Sequence, residues 1–204
     1  MTQKTATITK EKNDAKLTTR DITFSALFAA FIIVGAYIKI DIPLPLYTMH
    51  FTFQWLFVLM AGFLLGKKLG TISVVTYLLI GLAGVPVFAA GGGIGYVLRP
   101  GFGFLLGFVL AAYLIGLITE KLKKKKIYTL IIPATVGLVA YYSVGAVYFY
   151  LIKNIYVGEA VPFSLIVVQY CLITVAPDFI LCIAAASLAS QLIPAIKRFG
   201  GQTA

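Results

Sequence analysis

Charge is scarce in this chain, and acid is scarcest. Of 204 residues only seven are Asp or Glu and one is His, and charged residues make up 12% against about 25% in a soluble domain. With 60% of residues hydrophobic, that excludes a water-soluble globule. His50 is the sole histidine, and no cluster of His, Cys and carboxylate is present to hold a metal. No Ser or Cys has a visible base, so the chain is read as a non-enzyme needing no cofactor. There is no Gly-x-x-x-x-Gly-Lys-Ser/Thr loop, which excludes ATP hydrolysis by that route. The Gly91–Gly95 run lacks the spacing of a dinucleotide fingerprint. It is read instead as a loop whose backbone approaches a ligand or a helix closely. Cys171 and Cys182 fall about 16 Å apart on one expected helix, beyond disulfide reach, and are expected as reduced core thiols. No signal peptide is evident, because the first ~21 residues are polar and Thr/Lys-rich.

What charge there is falls on one side. Split by its apolar segments, the chain has polar stretches of two kinds. The first ~21 residues, Lys67-Lys68, the Lys121–Lys126 run and Lys197-Arg198 together hold 14 of the 17 basic residues. The alternate stretches hold Lys39, Arg99 and Lys153. Cytoplasmic loops retain Lys and Arg, so both termini are expected in the cytoplasm. Topology also accounts for the net charge of +10 without nucleic acid, since no aromatic-basic groove is visible. The Lys121–Lys126 run is first a solvated inner loop, with anionic lipid headgroups as its second reading.

The expected architecture is all-α and integral to the membrane, with six transmembrane helices: Ile22–Ile38, Phe53–Gly66, Thr71–Val85, Gly101–Thr119, Tyr128–Ile152 and Phe163–Ile193. Residues 1–21 form a cytoplasmic tail, 22–198 one substrate-binding domain and 199–204 a C-terminal tail. The second helix is shorter than the ~20 residues of a full span. It is expected to start below the outer surface, under a loop that Pro43 and Pro45 keep from being helical. Ala26-x-x-x-Ala30, Gly62-x-x-x-Gly66 and Gly103-x-x-x-Gly107 each place small residues on one helix face. The glycine pairs suit packing within the bundle. Ala26 and Ala30 suit docking of an external helix.

A few polar residues demand a reason. Asp178 lies mid-helix, where a charge costs about 2.5–3.5 kcal/mol on insertion scales; either a structural partner or a ligand must offset that. Arg99 precedes Pro100 and the fourth helix, where a guanidinium and a helix N-terminus together suit an anion; an interface anchor is the other reading. Thr52 and Gln54 open the second helix and face either the outer dip or a neighbouring loop. Among the tyrosines, one or two, Tyr96 included, are expected to line a pocket. Together these residues suit a small, partly apolar carboxylate carrying hydrogen-bond donors.

Three stretches carry a family resemblance: Phe51–Gly70 with Gln54, Gly62 and Gly66, then Tyr77–Ala89 with Gly81-x-x-Gly84-x-Pro86-Val-Phe88-Ala89, then Gly95–Phe108 with Arg99-Pro100. They resemble BioY, the biotin-specific S-component of energy-coupling factor (ECF) transporters. The resemblance implies the S-component fold in the cell membrane and capture of biotin or a related small carboxylate such as lipoate or dethiobiotin. It also implies partners: a transmembrane T-component, docked on Ala26 and Ala30, and two cytoplasmic ATPases. The family's Pro-Gly-Asp-x-x-Lys block reads Ala176-Pro177-Asp178-Phe179-Ile180-Leu181 here. Its Asp carries over as Asp178, while Leu181 stands where the Lys would be, and Arg99 stands where Gly is frequent. Either the cation has moved to the outer loop or the ligand is a relative of biotin. A stand-alone secondary carrier is the reading from another class; it would want a polar pathway or a repeat, and neither is visible.

Overall fold

The structure, a computed structural model, describes residues 17–44 and 47–199. Most of the expected N-terminal tail, with Lys4, Lys10, Lys12 and Lys16, lies outside the described residues, as do Pro45 and residues 200–204. Five helical stretches among the described residues are long and apolar enough to cross a membrane: Thr19–Tyr37, Gln54–Leu82, Phe102–Lys121, Ile127–Val157 and Phe163–Ile196.

Helix α1, Thr19–Tyr37, begins where the sequence offers a reciprocal cap. Asp21 N–H donates to Thr18 Oγ1 at 3.2 Å and Thr18 N–H donates to Asp21 Oδ2 at 2.9 Å, satisfying two of the free donors of the first turn. The loop that follows is a hairpin of β1, Lys39–Ile42, and β2, Met49–Thr52, antiparallel with Lys39 opposite Thr52 and Ile42 opposite Met49. Alternation over so few residues was too short a signal for a strand, so only the absence of helix was expected there.

Helix α2, Gln54–Leu82, is broken at Gly66, whose backbone (φ 76°, ψ −175°) is non-helical. The expected second and third helices are thus its two halves, with no intervening loop. The halves lie side by side. Gln54 Nε2 donates to Tyr77 Oη at 2.6 Å, although 23 residues of straight helix would span roughly 35 Å. A Cβ on Gly70 would stand 2.9 Å from the Ala61 carbonyl. The break frees the Lys67 N–H from helical bonding, and Glu120 caps it at 2.9 Å while pairing with Lys67 Nζ at 3.4 Å. A carboxylate at the new N-terminus also suits the helix dipole.

A short 3₁₀ turn, Ile94–Leu98, precedes α3, Phe102–Lys121, and α4, Ile127–Leu151. Helical winding continues past the expected end of this helix, through π turns over Ile152–Val157. This corrects the outer loop expected from Lys153. Lys153 is only 7% exposed, held by Glu159 Oε2 at 2.8 Å, while Asn154 clamps both backbone groups of Val161. Lys153 and Glu159 form a structural ion pair, so the cation of this stretch is buried. The last helical stretch runs from α5, Phe163–Ile166, through π turns over Val167–Leu172, into α6, Ile173–Phe199. Pro177 has no N–H to give the Ile173 carbonyl, and the wide turns end immediately before it.

The glycine pairs pack internally, as expected. A Cβ on Gly62 would meet Ile115, one on Gly103 would meet Tyr148, and one on Gly107 the Tyr141 backbone. Ala26 and Ala30 are exposed on α1. Cys171 and Cys182 are buried and unbridged.

Candidate functional site

A cavity opens among the hairpin, the start of α2, α3, α4 and α6. Its wall is aromatic. The Trp55 ring stacks on Phe108 (centroids 5.9 Å apart) and on Tyr141 (5.1 Å). Phe104, Tyr96, Phe149 and Tyr170 also line it. Trp55 is held in orientation by its N–H to Cys182 Sγ at 3.4 Å. Flat faces with fixed orientation favour a small ring system over a flexible chain.

Polar groups punctuate that wall. Asp178 is 2% exposed and lines the cavity. Its Oδ2 accepts the Tyr142 O–H at 2.6 Å, and Tyr142 shares a 2.8 Å hydrogen bond with Thr174. With the Tyr142 proton given to Asp178, Thr174 is the donor of that bond, and its Oγ1 also lies 3.1 Å from the Tyr170 carbonyl and 3.4 Å from that of Cys171. The carboxylate therefore has a structural partner and also faces the cavity. Gln54 lies among the same lining residues, giving its amide N–H to Tyr77 and accepting from Thr52 Oγ1 at 3.2 Å. Of the five expected substrate-binding residues, Asp178, Gln54, Thr52 and Tyr96 share this one cavity.

Arg99 stands just behind that lining. It is exposed, and its guanidinium lies over the Tyr96 ring, 5.1 Å from the centroid, and faces the Tyr47 hydroxyl. Both tyrosines line the cavity, so the cation sits outside the wall, against two of its residues. Burial raises the Tyr47 phenol above its usual pKa and pushes that of Tyr96 up to about 12, which keeps both as neutral hydroxyls. Leu181 is buried but lies outside the cavity lining.

The hairpin roofs the site. Tyr47, Met49, His50, Phe51 and Thr52 all line it. A polar chain ties the roof to the glycine-rich loop: His50 Nδ1 meets Asp41 Oδ1 at 2.5 Å, Lys39 pairs with Asp41 at 3.1 Å, and Lys39 Nζ donates to the Ala89 carbonyl at 2.8 Å. Hydrogen bonds from His50 and then Lys39 hold the Asp41 carboxyl below its ordinary value. Tyr37 O–H adds a bond to the Pro86 carbonyl at 2.6 Å. The glycines answer a packing need here, since a Cβ on Gly92 would collide with the Val85 carbonyl.

Sequence reasoning missed Tyr142 and Thr174, which position Asp178, and the roof residues Tyr47 and His50. Thr174 had a signal, because it precedes Asp178 by four and shares its helix face. Tyr142 had none, since only tertiary packing brings α4 to α6.

The comparisons with known proteins agree with this architecture. The sequence model of the BioY family matches residues 6–198. The chain is 40% identical over 174 residues to the probable biotin transporter BioY of Lysinibacillus sphaericus, covering 85% of this chain and 87% of that protein. It is 40% identical over 141 residues to the biotin transporter BioY of Thermotoga maritima, covering 69% and 78%. A crystal structure of the S-component for biotin from an ECF-type ABC transporter superposes with a TM-score of 0.75 at 28% identity, over 87% of this chain and 94% of that one. By the match of the family over nearly its whole length, the chain belongs to the BioY family.

Proposed function

We propose that this chain is the substrate-capturing S subunit of an ECF-type transporter and that its ligand is biotin. The observation that carries this reading is the aromatic cavity with a buried carboxylate on its wall and a cation packed against two of its lining tyrosines. Asp178 Oδ2 is engaged by Tyr142, and the acid keeps acceptor capacity for N–H donors, which the ureido ring of biotin supplies. Trp55 and Tyr141 give that ring apolar faces. Asp178 lies 15 residues into the last helical stretch, roughly 22 Å from its start, so the ring enters first and the carboxylate tail ends near Arg99. Thr52, Gln54 and Tyr96 complete the contacts.

The chain crosses the cell membrane six times, α2 contributing two crossings through its break at Gly66, with both termini cytoplasmic. The basic residues at Lys67-Lys68 and Lys121–Lys126 support that orientation. It has no energy source of its own. Capture is coupled to ATP hydrolysis by a T-component docked on Ala26 and Ala30 and by two ATPase subunits. Lipoate and dethiobiotin remain the alternative ligands that Leu181 raises.

Titration calorimetry of the purified chain against biotin, lipoate and dethiobiotin tests the ligand. Tightest binding of biotin is expected, and preference for either relative overturns that assignment. Uptake into vesicles separates an S subunit from a stand-alone carrier: accumulation of biotin by the chain alone would refute the S-subunit reading.

A further inference from the structure

Lys39, Arg99 and Lys153 are the three basic residues outside the stretches rich in Lys and Arg, and two of them are neutralised within the fold. Lys39 pairs with Asp41 at 3.1 Å and Lys153 with Glu159 at 2.8 Å. Arg99 pairs with no carboxylate among the described residues. Its neighbours are the ring of Tyr96, 5.1 Å away, and the hydroxyl of Tyr47. Tyr47, in the roof, is fixed from three sides. Its carbonyl accepts the Tyr170 O–H at 3.1 Å. Its ring meets Phe149 and His50 edge to face, with centroids 6.1 and 6.2 Å apart. Its hydroxyl lies beside Gly101 at the start of α3, where an added Cβ would stand 3.2 Å from the oxygen. The first turn of α3 carries no side-chain cap, so its N–H groups add partial positive charge at the same place.

A guanidinium has donors only. The Tyr47 oxygen therefore accepts from Arg99, and its own O–H is left to donate into the cavity that Tyr47 lines. A hydroxyl that accepts from a cation is a stronger donor in its turn, and a bond to an ionised acceptor is of the short, strong kind. Arg99 itself stands outside the lining. We infer that Tyr47 is the residue that reads the ligand's carboxylate, its O–H donating to a carboxylate oxygen while Arg99 supplies the charge from behind. This role rests on the carboxylate ligand proposed above. It makes the roof a selector of acids over neutral tails, because a neutral acceptor gains less from the same hydroxyl.

Titration calorimetry of the purified full chain against biotin and biotin amide tests it. Tyr47→Phe keeps the ring packing and removes only the hydroxyl, so the melting temperature should hold. Biotin should bind about tenfold or more weakly, and the amide about threefold at most. The double variant Tyr47→Phe/Arg99→Ala should lose less than the product of the two single losses, because the two groups act as one unit. Equal loss of acid and amide in Tyr47→Phe would make Tyr47 a packing residue of the roof and overturn the inference. Unchanged biotin affinity would mean that Arg99 reaches the carboxylate unaided and would also overturn it, as would losses that simply multiply in the double variant. If the parent chain does not bind biotin, the ligand assignment falls, and the same comparison with lipoate and lipoamide decides the role of Tyr47 on the same criteria.

Discussion

Replacing Asp178 by Asn separates a binding carboxylate from a structural one. The substitution keeps the volume and keeps an acceptor for the Tyr142 O–H, which Asp178 now receives at 2.6 Å. It removes the charge and puts an N–H₂ where a second carboxylate oxygen stood. If a ligand N–H donates to that oxygen, the variant loses a hydrogen bond to a charged group, about 1.5–3 kcal/mol, and adds a donor facing a donor. At about 1.4 kcal/mol per factor of ten, affinity should fall between about tenfold and a hundredfold. Stability should move the other way or not at all, because burying a neutral amide in a membrane helix costs less than burying a charge. Calorimetry gives the affinity and thermal unfolding in detergent gives the stability, on the same preparation. Affinity within a factor of about two of the parent, with a lowered melting temperature, would refute the binding role and leave Asp178 as an anchor for Tyr142 and Thr174.

Arg99→Ala should weaken binding of biotin about tenfold or more while hardly changing binding of biotin amide; equal loss of acid and amide would remove Arg99 from the site. Bulky residues at Ala26 and Ala30 should prevent co-purification with the T-component and ATPases yet leave biotin affinity unchanged, because the pair is exposed and outside the cavity lining. Gly66→Ala should lower stability by about 1–3 kcal/mol, read as a drop in melting temperature, since φ is +76° and the new Cβ would stand 2.5 Å from Glu120 Oε1; an unchanged melting temperature would mean that the break is unstrained. A cysteine at Ile155, which is 76% exposed, should label from outside the cell and one at Lys124 only after permeabilisation, and the reverse pattern would invert the topology.

Much of this was legible in the chain because lipid imposes one-dimensional rules. A helix in hydrocarbon must satisfy its own backbone, so apolar runs alone marked the helices α1, α3 and α4 to within a few residues. Lysines and arginines resist crossing, so the expected orientation rests on their distribution along the chain and on no tertiary contact. A lone acid in an apolar segment is costly wherever the helix packs, which is why Asp178 stood out without a fold. The small residues Gly62, Gly103 and Gly107 also spoke in advance, because close approach of two helices demands them wherever the partner lies.

Other features belonged to the tertiary structure. That Gln54 meets Tyr77 depends on the chain doubling back at Gly66, and nothing local makes a donor and an acceptor 23 residues apart neighbours. Lys153 looked like an outer cation because its segment is polar; the π turns and Glu159 bury it, and winding of that kind answers packing rather than composition. Arg99 was expected in the site, and the fold puts it behind Tyr96 and Tyr47, since the loop path sets its reach. The cavity itself is the space left by five elements converging from across the chain. Its lining runs from Tyr47 to Asp178, so sequence could nominate single residues for it, but only packing could choose which of them face one another.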